Sequence, residues 1–76
     1  MKKSLNVMYL SLFSIADLAL KYNVNQSEIK DVIETILFFA WNDSVIDGNQ
    51  YEKMVKISEK DLERFHSYLF EKIDFD

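Results

Sequence analysis

The chain has no cysteine and no proline, one glycine and one histidine. Without cysteine there is neither a disulfide nor a thiolate metal site to staple the fold, an absence that fits a cytoplasmic protein. A lone glycine leaves no glycine-rich phosphate loop, and a lone histidine is thin material for acid-base catalysis. No apolar run is long enough, or free enough of polar groups, to span a bilayer. Basic residues are also in deficit: nine lysines and arginines against thirteen aspartates and glutamates give a formal charge of −4, opposite to the usual footprint of nucleic-acid binding. What is present is apolar material, 49% of 76 residues with 14% aromatic, enough for one small globular domain over residues 1–76 and against disorder.

Met1-Lys2-Lys3 followed by LNVMYLSLF imitates a secretory leader, but Asn6, Tyr9 and Ser11 interrupt its apolar core. Leu5, Met8, Tyr9 and Leu12 fall instead at i, i+3, i+4 and i+7, the spacing of a packing helix capped by Ser4.

The stretch from Ser14 to Trp41 organises the rest. Ser14 stands three residues before Asp17 and Asn25 three before Glu28, so each marks a helix start. These helices are expected from about Ile15 to Tyr22 and from Gln26 to about Trp41. Tyr22-Asn23-Val24 between them reads as a helix end, a residue tolerant of positive φ, and an apolar plug. Leu18, Ala19, Tyr22, Val24, Ile29, Val32, Ile33 and Ile36 are expected to share one interior, with Ala19 small enough for a close crossing. This pattern, Ser14 to Ile36, resembles the helix-turn-helix of DNA-binding domains, with Asn23 where that superfamily most often has glycine.

Beyond it, Asn42-Asp43-Ser44 breaks the helix, and Asp47-Gly48 lies between β-rich runs, a strong hairpin signal. Strands are expected near Ser44 to Ile46 and Tyr51 to Ile57, with an irregular loop as the alternative and Gly48 at a positive φ. Ser58 and Asp61 mark a last helix over residues 59–73, with Leu62, Phe65, Leu69 and Ile73 at helical spacing. The whole resembles the winged variety: mainly α with a small β-hairpin, a helix-turn-helix at 14–41, a wing at 44–57 and a C-terminal helix.

The resemblance implies a small transcriptional regulator binding duplex DNA as a homodimer, with Asn25, Gln26, Ser27 and Lys30 facing base edges or phosphates. Lys53 and Lys56 on the wing, with Lys2, Lys3 and Lys21, are the other candidates for phosphate. Against this, the charged residues of the recognition helix are one lysine and the three acids Glu28, Asp31 and Glu34. The alternative is a protein-binding module, an adaptor, inhibitor or DNA mimic. Phe38, Phe39 and Trp41 would be its anchors, unless the last helix folds over Phe38 and Trp41. Phe65 and Leu69 would join them if the C-terminal helix pairs with a copy of itself. His66 is expected at the core boundary, with a pH-sensitive contact as the sharper reading, and Glu59, Asp61 and Glu63 complement a helix dipole rather than hold a metal. Neither reading calls for an enzyme, a cofactor, a membrane or a small-molecule substrate.

Overall fold

The computed structural model describes residues 2–75; the side chain of Lys2, one of the candidate phosphate contacts, lies outside the described residues. Four helices follow one another: α1 (Lys2–Tyr22), α2 (Gln26–Asn42), α3 (Gly48–Lys60) and α4 (Leu62–Lys72). Each packs on the next in chain order, and α4 closes back on α1. Leu12, Ala16 and Ala19 of α1, Ile33 and Leu37 of α2, Met54 of α3 and Phe65 and Leu69 of α4 are sealed in the shared core. The Cα radius of gyration is 11.5 Å, close to the roughly 11 Å of a compact chain this long.

Among the described residues there is no strand, so the winged helix-turn-helix is not the fold. The first correction lies in α1, which runs straight through Ser14. Its buried stripe of Met8, Leu12, Ala16 and Ala19 passes the expected break without changing phase. Extending a formed helix adds a hydrogen bond per residue, whereas a break would demand a second costly nucleation. Ser4 and Ser14 are therefore helix residues, not caps. The expected interior shifts with them: Ala19 and Ile33 are buried and Ile29 and Ile36 partly so, but Leu18, Tyr22, Val24 and Val32 lie on the surface.

The bend itself is as expected. Asn23 takes φ 52°, and Asn25 caps α2 by accepting the Ser27 N–H at 3.0 Å.

The second correction is the wing. Asp47 and Gly48 do not turn a hairpin: Asp47 caps α3, its Oδ1 accepting the Gln50 N–H at 2.8 Å, and Gly48 opens the helix without a positive φ. The left-handed residue is Ser44, at φ 61°. There the Val45 N–H donates to the Ala40 carbonyl at 2.8 Å and the Ser44 N–H to that of Trp41 at 3.0 Å. These two bonds close α2 with a Schellman turn, and buried Ile46 follows as its apolar plug. Tyr51, Met54, Val55 and Ser58 then fall at i, i+3, i+4 and i+7, and this inward face makes residues 48–60 a helix.

The last helix also starts later than expected. Ser58 belongs to α3, where its buried hydroxyl donates to the Val55 carbonyl at 2.9 Å. Asp61, extended between the two helices, caps α4 by accepting the N–H groups of Glu63 and Arg64 at 3.1 and 3.3 Å.

Candidate functional site

α2 turns Ile33, Leu37 and Ala40 inward, and at 100° per residue this throws Phe38 outward. Phe38, Phe39 and Trp41 are 45%, 58% and 44% exposed; the C-terminal helix does not cover them. They touch one another edge to face, Phe38 to Phe39 at 6.0 Å between centroids and Phe38 to Trp41 at 6.4 Å. Trp41 also stacks on Tyr51 of α3 at 4.7 Å, and its indole lies beside Gly48 with room for a methyl group between them. Aromatic rings held this way are already ordered, so covering this surface would cost little entropy. Phe38, Phe39 and Tyr51 line a shallow cleft of about 430 Å³ together with Thr35 and the acids Asp31 and Glu34. The face is thus apolar at its centre and negative along one edge.

The residues expected to contact DNA are placed differently from one another. Asn25 is occupied as a cap, while Gln26 and Ser27 are exposed on the first turn of α2. Lys30 is half-buried and its Nζ donates to the Glu59 carbonyl at 2.8 Å, tying α2 to the C-terminal end of α3. Lys53 lies 5.6 Å from the centre of the Tyr68 ring, and Lys56 pairs with Glu52 at 3.2 Å. Lys56 also lines a cleft with Lys60, Asp61 and Arg64, and among the described residues the one acid lining it is already engaged as the α4 cap. Lys60 and Arg64 were not among the residues expected from the sequence. Their signal was the series Lys53, Lys56 and Lys60, which becomes a stripe only when residues 48–60 are recognised as helical; Arg64 reaches the same cleft from the first turn of α4.

Phe65 and Leu69, expected at a dimer interface, are both 0% exposed. The apolar stripe of α4 is consumed by the chain's own core.

His66 sits at the boundary between α4 and α1. Its Nε2 is 3.0 Å from Asp17 Oδ1, and since an ionised carboxylate only accepts, the imidazole is the donor. The ring stacks on Phe13 at 4.4 Å, and Lys21 pairs with the other Asp17 oxygen at 3.2 Å. The imidazole first, then the ammonium, hold the Asp17 carboxyl below its ordinary pKa.

Among the described residues no group of three histidine, aspartate or glutamate side chains is placed to hold a metal ion, and no helix is long and apolar enough to cross a membrane. No protein-family model matches the chain, and no curated protein or solved structure matches it. The site therefore stands on its own chemistry.

Proposed function

We propose that this chain is a small cytoplasmic, non-catalytic protein-binding domain that meets its partner through the aromatic, acid-edged face of α2 and the start of α3. The observation that carries the reading is the exposure of Phe38, Phe39 and Trp41 side by side. Clustered aromatics rimmed by polar groups are what interface centres contain. Asp31 and Glu34 on the rim select a partner whose docking segment brings lysine or arginine to the rings. The test compares the wild type, Phe38→Ser and Lys56→Glu as baits, followed by titration of any captured protein. The partner is expected to be kept by Lys56→Glu, to bind Phe38→Ser at least tenfold more weakly, and to loosen as salt rises. Equal affinity of wild type and Phe38→Ser for every captured protein would sink the reading.

A second reading keeps nucleic acid but not the wing. It draws on the lysines at one end of the bundle, where Lys30 meets the end of α3 and Lys56, Lys60 and Arg64 line one cleft. Backbone-directed binding of this kind is strongly salt-dependent. A labelled random duplex at low salt should then lose most of its binding to Lys60→Glu/Arg64→Glu, and an anisotropy unchanged by micromolar wild-type protein would exclude it.

A further inference from the structure

The surface that α1 and α2 share is distinct from the aromatic face. The flank of α1 that bears Phe13 and Asp17 meets α4, through the His66 ring and carboxylate contacts. The flank of α2 that bears Lys30 and Trp41 meets α3. The opposite flanks therefore lie together, and at 100° per residue they carry Val7, Ile15 and Leu18 from α1 and Val32 and Ile36 from α2, with Phe39 at the border with the aromatic face. Leu18 and Val32 are 54% and 45% exposed. The polar residues interleaved there, Ser4, Ser11 and Ser14, bear no charge, and on α2 the sector is uncharged between Glu28 and Asp43. In a chain that is 29% charged, this flank is the exception.

We infer that the α1–α2 flank is a homodimer face, occupied by a second copy of this chain around a two-fold axis. Charge decides the occupant. A two-fold contact sets a patch against itself, so any fixed charge near the axis meets its like. Two copies carrying a net charge of −4 each can approach closely only where the surface has none. The other exposed apolar surface, beside Asp31 and Glu34, fails that condition and calls for a partner of opposite charge. Size sets the strength. Two helices side by side over about four turns give a face of roughly 20 by 20 Å, and closing two of them removes on the order of 800 Å² from water, in the range of weak, transient interfaces. The dimer is thus weak, and it leaves Phe38 and Trp41 free. The expected pairing through Phe65 and Leu69 is replaced by one on the other side of the bundle.

Sedimentation equilibrium at 5 to 200 µM tests it, with Leu18→Glu and Val32→Glu as the breaking variants. Both sites are on the surface, so helicity and unfolding midpoint should stay near the wild type's. The wild type should form a dimer that persists or tightens in 0.5 M salt, and each variant should raise the dissociation constant at least tenfold. Since the chain has no cysteine, Ser11→Cys should oxidise to a covalent dimer faster than the control Glu63→Cys on α4. A wild type monomeric at 200 µM overturns the inference, as does a dimer indifferent to both variants. Loss of the dimer through Phe38→Ser alone would assign pairing to the aromatic face, and cosedimentation of a monomer with phosphatidylcholine vesicles would assign the flank to lipid. Either result overturns this proposal without touching the test of the protein-binding reading, which rests on a captured partner.

Discussion

α2 and α4 are both amphipathic and both carry aromatics, yet α4 sends Phe65 into the core and leaves Phe70 on the surface, whereas α2 buries none of its rings. In α4, Phe65 and Leu69 stand four residues apart, on one face, and the core takes both. In α2 three aromatics fall within four residues, Phe38, Phe39 and Trp41. At 100° per residue these fall within an arc of about 160°, on the side of the helix away from Ile33, Leu37 and Ala40. The core takes Leu37 and Ala40 instead, and the rings go outward. Spacing alone thus divides the aromatic material into a part that holds the fold and a part left on the surface.

The largest effect expected from this division is on stability. Phe65→Ala should cost about 3–5 kcal/mol, the range for emptying a buried aromatic site. A chain this long has on the order of 4–11 kcal/mol to lose in total. Phe65→Ala should therefore be largely unfolded at 37 °C, while Phe38→Ala lowers the stability read from urea curves by less than about 1 kcal/mol. Similar losses at the two positions would erase the distinction between the helices.

The caps sharpen it on a smaller scale. Asp61 accepts two backbone N–H groups at the start of α4, Asn25 one at the start of α2. Asp61→Ala should cost about 1–2 kcal/mol and Asn25→Ala about 0.5–1 kcal/mol, read from urea curves of the two variants. The reverse order would mean that α2, not α4, depends more on its cap.

The far end of α2 offers a gain. Ser44 holds a left-handed conformation that disfavours any side chain with a Cβ. Ser44→Gly should stabilise the chain by about 0.5–1 kcal/mol, net of the extra freedom glycine gives the unfolded state. A destabilised variant would mean that the serine side chain contributes more to the turn than its backbone strain removes.

These local features were unequally legible in the sequence. The bend at Asn23 and the cap at Asn25 follow from short-range chemistry that a sequence displays directly, and both stand in the structure. Asp47-Gly48 does not have one meaning. An aspartate before a glycine suits a hairpin turn as well as an N-cap and first helical residue, and the residues downstream decide between them. Val55 and Ile57 argued for a strand by type, while Tyr51, Met54, Val55 and Ser58 argued for a helix by spacing, and burial of that face settled it. Ser14 failed for the converse reason, since a good cap residue carries no weight where an unbroken apolar stripe runs past it. For the candidate site, the outward direction of Phe38 was readable from periodicity. Whether Phe65 and Leu69 faced a core or a partner was not, because an apolar face does not say what covers it.

The smallest effect separates the ties that hold the two helices in place. α2 is tied to α3 through Lys30 and a backbone carbonyl, which does not titrate in the acid range. α4 is tied to α1 through His66 and the Asp17 carboxylate, which does. Because Asp17 is held below its ordinary pKa in the folded chain, the unfolded chain binds more protons near pH 4. Its contribution is therefore complete above about pH 5 and is lost as the pH falls through the unfolded and then the folded value. Asp17→Asn should lie slightly below the wild type in urea stability at pH 7, fall less steeply between pH 5 and pH 2.5, and meet it at the acid end. The side chain is partly exposed, so the separation at neutral pH is small and shrinks in salt. Parallel curves for the two proteins across that range would show that the α1–α4 contact is held by the Phe13–His66 stack and the core beneath it, with the carboxylate a bystander.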